Sequence, residues 1–510
     1  MHRFWATACL ALSCATFTLA YPQPQQVQSS WQDILQYPFA HNTQHKNSGN
    51  YDNEINTYVR FDNDKVFRVE ISSLDQLKHL EAVVETLNLD LWSNLRIGTV
   101  DVRVPAPMID YFEEATRHIP STVMVPNLQD IISTQTKTPL LHSTQGDWNF
   151  TDNSFWLNYH NLTTLNNFTE AMVQQFPDLV KRVSIGQTYE GREVFGMSIH
   201  GYKANDDVGE MEADDYEQKQ VKSLWSWLFG FPRRTAKKPS KPKKNPKAIL
   251  LHAGQHAREW IGPAVVTYIA KELILGYRQN KKITRLVDQF EFVIVPVLNA
   301  DGYSYTWEKN RMWRKNRQPT SIPFCIGIFA YSTQDPNRNW GYKWNTGGSS
   351  SNPCNEGYHG PEAFAAFEPK MMSDFILERK NVVAYIDFHA YSQLWMSPFG
   401  GDCNETPKDN EDLTEGGMGA VKALYDVHGK KFAVGNVCDI IYQASGGSID
   451  WTYAEGKVKY SYGVELRDTG RYGFLLPESE ILPSSEETTA SVLYLANFIR
   501  KREKQWGYTV

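Results

Sequence analysis

The sequence predicts an α/β protein: a mixed, mostly buried sheet flanked by helices, with a smaller α/β unit ahead of it. Three observations carry this. From about residue 155 onward, helical patterns alternate with short apolar runs: Ala248 to Ala253, Phe290 to Val297, Val382 to Phe388 and Tyr460 to Val464. Runs of that kind belong to strands covered on both faces. Upstream, residues 58–125 carry their own cycle of alternating and helical periodicity. At 510 residues, with 41% hydrophobic and 13% aromatic content, the chain can build two or three units with sizeable cores.

Along the chain, residues 1–20 read as a secretory signal: His2 and Arg3, then the apolar stretch Phe4 to Leu19, then Thr18-Leu19-Ala20 as a cleavage site. No other run approaches spanning length, so no membrane anchor is expected. Residues 21–57 are a polar leader. In the small unit, Val66 to Ile71 alternates as a strand, Leu74 to Leu87 is helical, Thr99 to Val104 alternates again and Met108 to Thr116 is helical. Residues 126–150 are polar, with Gln129 to Trp148 rich in Thr, Ser and Lys, and read as an exposed, cleavable linker. Residues 151–510 form the main domain. An insertion, 205–247, breaks it: acidic from Asn205 to Gln220, apolar from Leu224 to Phe231, basic from Arg233 to Lys247. It reads as a solvated loop with opposed charges, in preference to a processing site at Arg233-Arg234 or a docking patch.

Net charge −6 and a pI near 6.1 argue against nucleic acid as a partner. Of six cysteines, Cys9 and Cys14 lie in the signal, leaving Cys325, Cys354, Cys403 and Cys438. An even number in a secreted chain points to two disulfides. The shorter loops favour Cys325 with Cys354 and Cys403 with Cys438. Asn149, Asn161, Asn167 and Asn404 head glycosylation sequons, expected on surface loops.

The segment His256-Ala257-Arg258-Glu259-Trp260 is the most informative. It follows an apolar run and precedes a helical pattern, Trp260 to Leu273. In the first turn of a helix, a His and a Glu three residues apart can share one ion. His389, at the carboxyl end of the run Val382 to Phe388, supplies a third ligand. Two imidazoles and one carboxylate leave a zinc position open, the arrangement of a catalytic site.

Six segments in order resemble the zinc metallocarboxypeptidases of the pancreatic carboxypeptidase A type: 256–260, Arg311-Met312-Trp313-Arg314-Lys315, Asn337-Arg338-Asn339-Trp340, His389-Ala390-Tyr391-Ser392-Gln393, the run from Ile441 to Asp450, and the run from Glu465 to Phe474. Residues 58–125 resemble that family's inhibitory propeptide more loosely, through Val66 to Val69 and Asp101 to Val104. The resemblance implies one zinc ion held by His256, Glu259 and His389, and Glu465 as general base. It implies Arg314 facing the oxyanion, and Arg338, Asn337 and Tyr442 binding the substrate's terminal carboxylate. It further implies Arg258 and Tyr391 holding substrate further out, and Ile449 setting an apolar or aromatic preference in a pocket widened by Gly463. Arg311 and Arg317 read as structural or surface residues. The partners implied are peptide or protein C-termini, the chain's own propeptide as inhibitor, and an activating protease.

The layout also resembles a fungal secretory and vacuolar branch linked to cell-wall biogenesis. Many of its members look inactive because the general-base Glu or the carboxylate-binding Asn is replaced. Glu465 and Asn337 are both present here. The expected function is therefore a secreted or vacuolar carboxypeptidase zymogen. The alternatives are a zinc-binding protein that captures C-termini without turnover, and a structural glycoprotein.

Overall fold

The computed structural model describes residues 58–93, 95–136, 148–201, 246–320, 325 and 332–505. The signal, the leader and nearly all of the charged insertion lie outside them. Lys247, counted above with that insertion, instead opens a strand and pairs with Glu503.

The small unit is a four-stranded antiparallel sheet, β1 (Lys65–Ile71), β2 (Asp90–Leu91), β3 (Gly98–Val104) and β4 (Ser121–Val125), in the order β2-β3-β1-β4. Helices α1 (Leu74–Thr86) and α2 (Ile109–Thr116) lie between its strands in sequence. Ser73 caps α1, its side chain accepting from Gln76 N. Phe67 of β1 meets Phe112 of α2 at 5.1 Å between ring centroids. The stretch read as a linker is helical at its start: α3 (Leu128–Thr136) buries Leu128 and Ile132. Its polar composition masks a two-residue apolar contact that needs the rest of the fold.

The main domain carries α4 (Leu162–Gln175), β5 (Val180–Gln187), β6 (Glu193–Ile199), β7 (Lys247–Ala253), α5 (Ile261–Gly276), α6 (Lys281–Gln289), β8 (Phe290–Val295) and α7 (Ala300–Glu308). There follow α8 (Phe367–Arg379), β9 (Val382–His389), β10 (Leu394–Ser397), α9 (Asn410–His428), β11 (Ala433–Asn436), α10 (Val437–Ile440), α11 (Ser448–Ala454), β12 (Tyr460–Glu465) and α12 (Ile481–Gln505). The sheet order is β11-β10-β12-β9-β7-β8-β6-β5. Its centre, β12-β9-β7-β8, is parallel, and the pairs β10/β12, β6/β8 and β5/β6 are antiparallel. The four apolar runs singled out above are these four central strands, buried because helices cover both faces. Loops at the carboxyl ends of such strands are where α/β sheets place ligands.

Both expected disulfides are present. Cys325–Cys354 closes 29 residues and Cys403–Cys438 closes 35. Asn149 and Asn404 are exposed and lie outside helices and strands, as expected. Asn161 and Asn167 depart from that expectation. Asn161 caps α4 with its side chain, and Asn167 lies within α4, ahead of the buried Phe168 and Thr169. Among the described residues no helix is long and apolar enough to cross a membrane.

Candidate active site

The carboxyl ends of β7, β9 and β12 deliver the chemistry. His256 and Glu259 follow β7 in an irregular turn, and α5 starts only at Ile261. The pair therefore precedes the helix and does not occupy its first turn. Glu259 N–H reaches back to His256 O at 3.4 Å, which folds both side chains to one side. His389 ends β9. The parallel register sets Glu465, the last residue of β12, directly beside it.

Three ligand atoms converge there. His256 Nδ1 lies 2.9 Å from Glu259 Oε1, and His389 Nδ1 lies 3.0 Å from both Glu259 Oε2 and His256 Nδ1. All three residues are buried. Two ring nitrogens facing each other beside a carboxylate gain nothing unless a cation sits among them. Tetrahedral zinc at roughly 2.0–2.1 Å from N and O donors suits such a cluster. The far nitrogens of both rings meet carboxylates: His256 Nε2 is 3.1 Å from Asp335 Oδ1, and His389 Nε2 is 2.8 Å from Asp387 Oδ2. That orients both rings with Nδ1 turned to Glu259, where the three donors would hold an ion.

Burial would raise Asp335, but Arg314 and His256 overcome it and hold this carboxylate well below the usual range. Arg314 Nη2 donates to Asp335 Oδ2 at 3.0 Å, and its Nη1 lies 3.8 Å from Glu259 Oε1. A fixed guanidinium therefore borders the metal site. Burial pushes Glu465 up to about 8, with His389 opposing and Glu259 reinforcing. Its Oε2 is buried with no hydrogen-bond partner among the described residues.

Asn337 and Arg338 sit in a one-turn helix, Pro336–Arg338, capped by Asp335. Arg338 Nη2 donates to Tyr442 Oη at 2.7 Å, and Nη1 to Asn337 O at 2.8 Å. Beyond them a pocket is lined by Leu394, Met396, Ala444, Gly447, Ile449 and Gly463. A Cβ on Gly463 would lie 3.5 Å from Met396 Cε and 3.7 Å from Ile449 Cδ1, ordinary van der Waals contact, so glycine leaves room for about one methyl there. Asp450 also borders the pocket. Burial pushes its carboxyl up to about 7, and it accepts from the amides of Gly400 and Gly401.

The small unit lies across this site. Asp90 pairs with Arg258 Nη1 at 2.9 Å, and Asp101 Oδ2 accepts from Tyr391 Oη at 2.9 Å. Arg68 binds Asp101 and donates to Thr469 O at 3.0 Å. Trp92 stacks edge-on against Phe474, 5.2 Å between centroids. Arg258 and Tyr391, expected to contact substrate, are thus occupied by this unit. Arg311 is structural but no surface residue: it is fully buried, lies 3.6 Å from the Trp260 ring centroid, and donates to Arg258 O and Phe474 O. Arg317 lies over the rings of Tyr305 and Trp313.

Residues 165–491 match the zinc carboxypeptidase family, and residues 67–135 match the carboxypeptidase activation peptide. The chain belongs to the zinc carboxypeptidases. It is 35% identical to carboxypeptidase A1 of Sus scrofa over 84% of this chain and 92% of that one. It is 32% identical to inactive metallocarboxypeptidase ECM14 of Ajellomyces capsulatus, over 86% of this chain and 71% of that protein. Among solved structures, thrombin activatable fibrinolysis inhibitor matches with a TM-score of 0.71 and 30% identity, over 86% of this chain and 100% of that one. Membership in the zinc carboxypeptidases agrees with the donor set described above, and the activation peptide accounts for the covering unit.

Sequence reasoning missed Asp335, Asp387, Asp90 and Ser448. Asp387 lies two residues before His389 on the same face of β9, a local signal, whereas Asp335 backs His256 from 79 residues away and stands two residues before Asn337 of the carboxylate clamp. Asp90 stands in a two-residue strand, with no local signal of its partner.

Proposed function

We propose that this chain is the zymogen of a secreted or vacuolar zinc carboxypeptidase that removes apolar or aromatic C-terminal residues. The reading rests chiefly on one observation: Glu465, with an unpartnered carboxylate oxygen, borders the same pocket as the ligand cluster and the Arg338 clamp. His256, Glu259 and His389 would hold the ion. Zinc bound there supplies Lewis acidity toward a carbonyl oxygen and a water molecule.

The other steps belong to side chains. Arg338, with Asn337 and Tyr442, binds the terminal carboxylate through charge-assisted hydrogen bonds. The substrate's last side chain enters the pocket beside Ile449 and Gly463. Asp450 does not make that pocket basic-selective, because its oxygens are committed to two backbone amides. Glu465 takes a proton from the attacking water and passes it to the leaving amine, the two transfers that a carboxylate beside the ligand cluster can make. Arg314 stabilises the negative charge that develops on the carbonyl oxygen. The activation peptide keeps Arg258 and Tyr391 occupied until the chain is cut C-terminal to Thr136, within 137–150.

A second reading is a zinc-binding protein without turnover, with a role in cell-wall biogenesis; the similarity to the inactive ECM14 relatives favours its lack of turnover. Retention of Glu465, Arg314 and Asn337 supports the first. The test offers processed, zinc-loaded protein two peptides, one ending in Phe and one in Lys. Release of Phe at least about tenfold faster is expected. Faster release of Lys contradicts the pocket assignment, and no release from either supports the second reading.

A further inference from the structure

Behind the metal cluster lies a buried carboxylate that the reaction itself does not use. Asp387 precedes His389 by two residues in β9, so strand alternation puts both on one face. It is fully buried. Its Oδ2 accepts from Ser448 Oγ at 2.6 Å and Gln255 Nε2 at 3.2 Å, and lies 2.8 Å from His389 Nε2, which also meets Asn337 Nδ2 at 3.3 Å. On the neighbouring strand its register partner is His252, whose Nε2 lies 3.4 Å from Oδ1 and 2.6 Å from Tyr385 Oη.

Two features separate Asp387 from Asp335, the carboxylate behind the other histidine. Asp335 is neutralised by Arg314, whereas no Arg or Lys side chain bonds Asp387 among the described residues, and neutral donors hold it. Ser448 then links it onward, because its backbone N–H donates to Asn337 Oδ1 at 2.8 Å. Ser448 is also the first residue of α11, beside the pocket residue Ile449.

We propose that Asp387 is a positioning residue: it holds His389 with Nδ1 facing the ion and, through Ser448, ties that ring to Asn337 in the terminal-carboxylate clamp. A carboxylate accepting from Nε2–H leaves the Nδ1 lone pair free for a metal and stops the ring from rotating. The shared Ser448 couples the metal centre to the loop that receives the substrate's end. The proposal rests on the zinc site assigned above.

The test uses the purified full-length chain and needs no turnover. Zinc affinity is measured by competition with a chelator, and the Co(II)-substituted protein is examined in the visible region. Asp387→Asn is expected to weaken zinc about 10–100-fold and to alter the Co(II) bands. Glu368→Gln, at a buried carboxylate away from the site, is expected to leave both unchanged. Should Asp387→Asn fail to fold, Ser448→Ala removes one hydroxyl; it is expected to weaken zinc about threefold and to shift the Co(II) bands in the same direction. Unchanged affinity and spectrum in a folded Asp387→Asn overturn the proposal. So does an equal loss in Glu368→Gln, or, where Asp387→Asn does not fold, an unaffected Ser448→Ala. A wild-type chain that takes up no zinc overturns the functional reading as well, which separates the two failures.

Discussion

Arg338 and Arg311 carry the same charge in opposite circumstances. Burial pulls Arg311 down to about 10; two backbone carbonyls and the face of Trp260 hold it. Arg338 points its guanidinium at Tyr442 in the mouth of a pocket, and its Nε has no hydrogen-bond partner among the described residues. Truncating Arg338 to Ala is expected to lower kcat/KM by about 2–4 kcal/mol in transition-state terms, mostly through KM, as steady-state kinetics on a Phe-ending peptide would show. Motif position identified Arg338 in the sequence, but the burial of Arg311 depends on partners more than fifty residues away and was not legible there. Glu368 gives a pH prediction. Burial pushes it up to about 7 from 4.5, its Oε2 accepts from Asn316, and Oε1 has no hydrogen-bond partner among the described residues. The folded chain therefore binds its proton more tightly than the unfolded chain. This group's contribution to stability falls as pH rises from about 4.5 to about 7 and is flat above that. Glu368→Gln removes that slope. Denaturant melts at pH 4.5 and pH 8 should show the variant gaining on wild type by up to about 3 kcal/mol between the two.

Elements were legible where local pattern and tertiary role agree. The four apolar runs became the parallel centre of the sheet because burial on both faces demands continuous apolar sequence. The short strands β10 and β11, the strand β2 and the helix α3 were missed; each is fixed by neighbours more than by its own residues. The helical spacing of its two ligands predicts a helical turn after β7, yet a tighter, irregular turn before Ile261 serves them as well. The bridge Cys403–Cys438 acts at this scale too. It closes 35 residues and anchors α10, which leads directly into Tyr442. Replacing both cysteines by Ser is expected to cost about 3–4 kcal/mol by loop entropy. It should also raise KM more than it lowers kcat; thermal melts and kinetics on the same preparation read both.

In the whole molecule, the activation peptide and the carboxypeptidase-family domain share a charged seam. Asp90 meets Arg258 in a buried pair, and Asp101 joins Arg68 to Tyr391. Removing one partner of a buried pair leaves the other charge uncompensated, at a cost on the order of 3–5 kcal/mol. Asp90→Ala is therefore expected to loosen the cover and raise the activity of the uncut chain toward a Phe-ending peptide at least about tenfold. An unchanged rate in the uncut variant would count against latency through this seam. Turnover by the uncovered chain runs, on the proposed function, through Glu465. The most direct test of this is the release of Phe from such a peptide by processed protein carrying one zinc per chain, wild type against Glu465→Gln. Steady release by wild type is expected, with a fall of about 10²–10⁴-fold in the variant at unchanged zinc content. Equal rates in the two would contradict this role of Glu465.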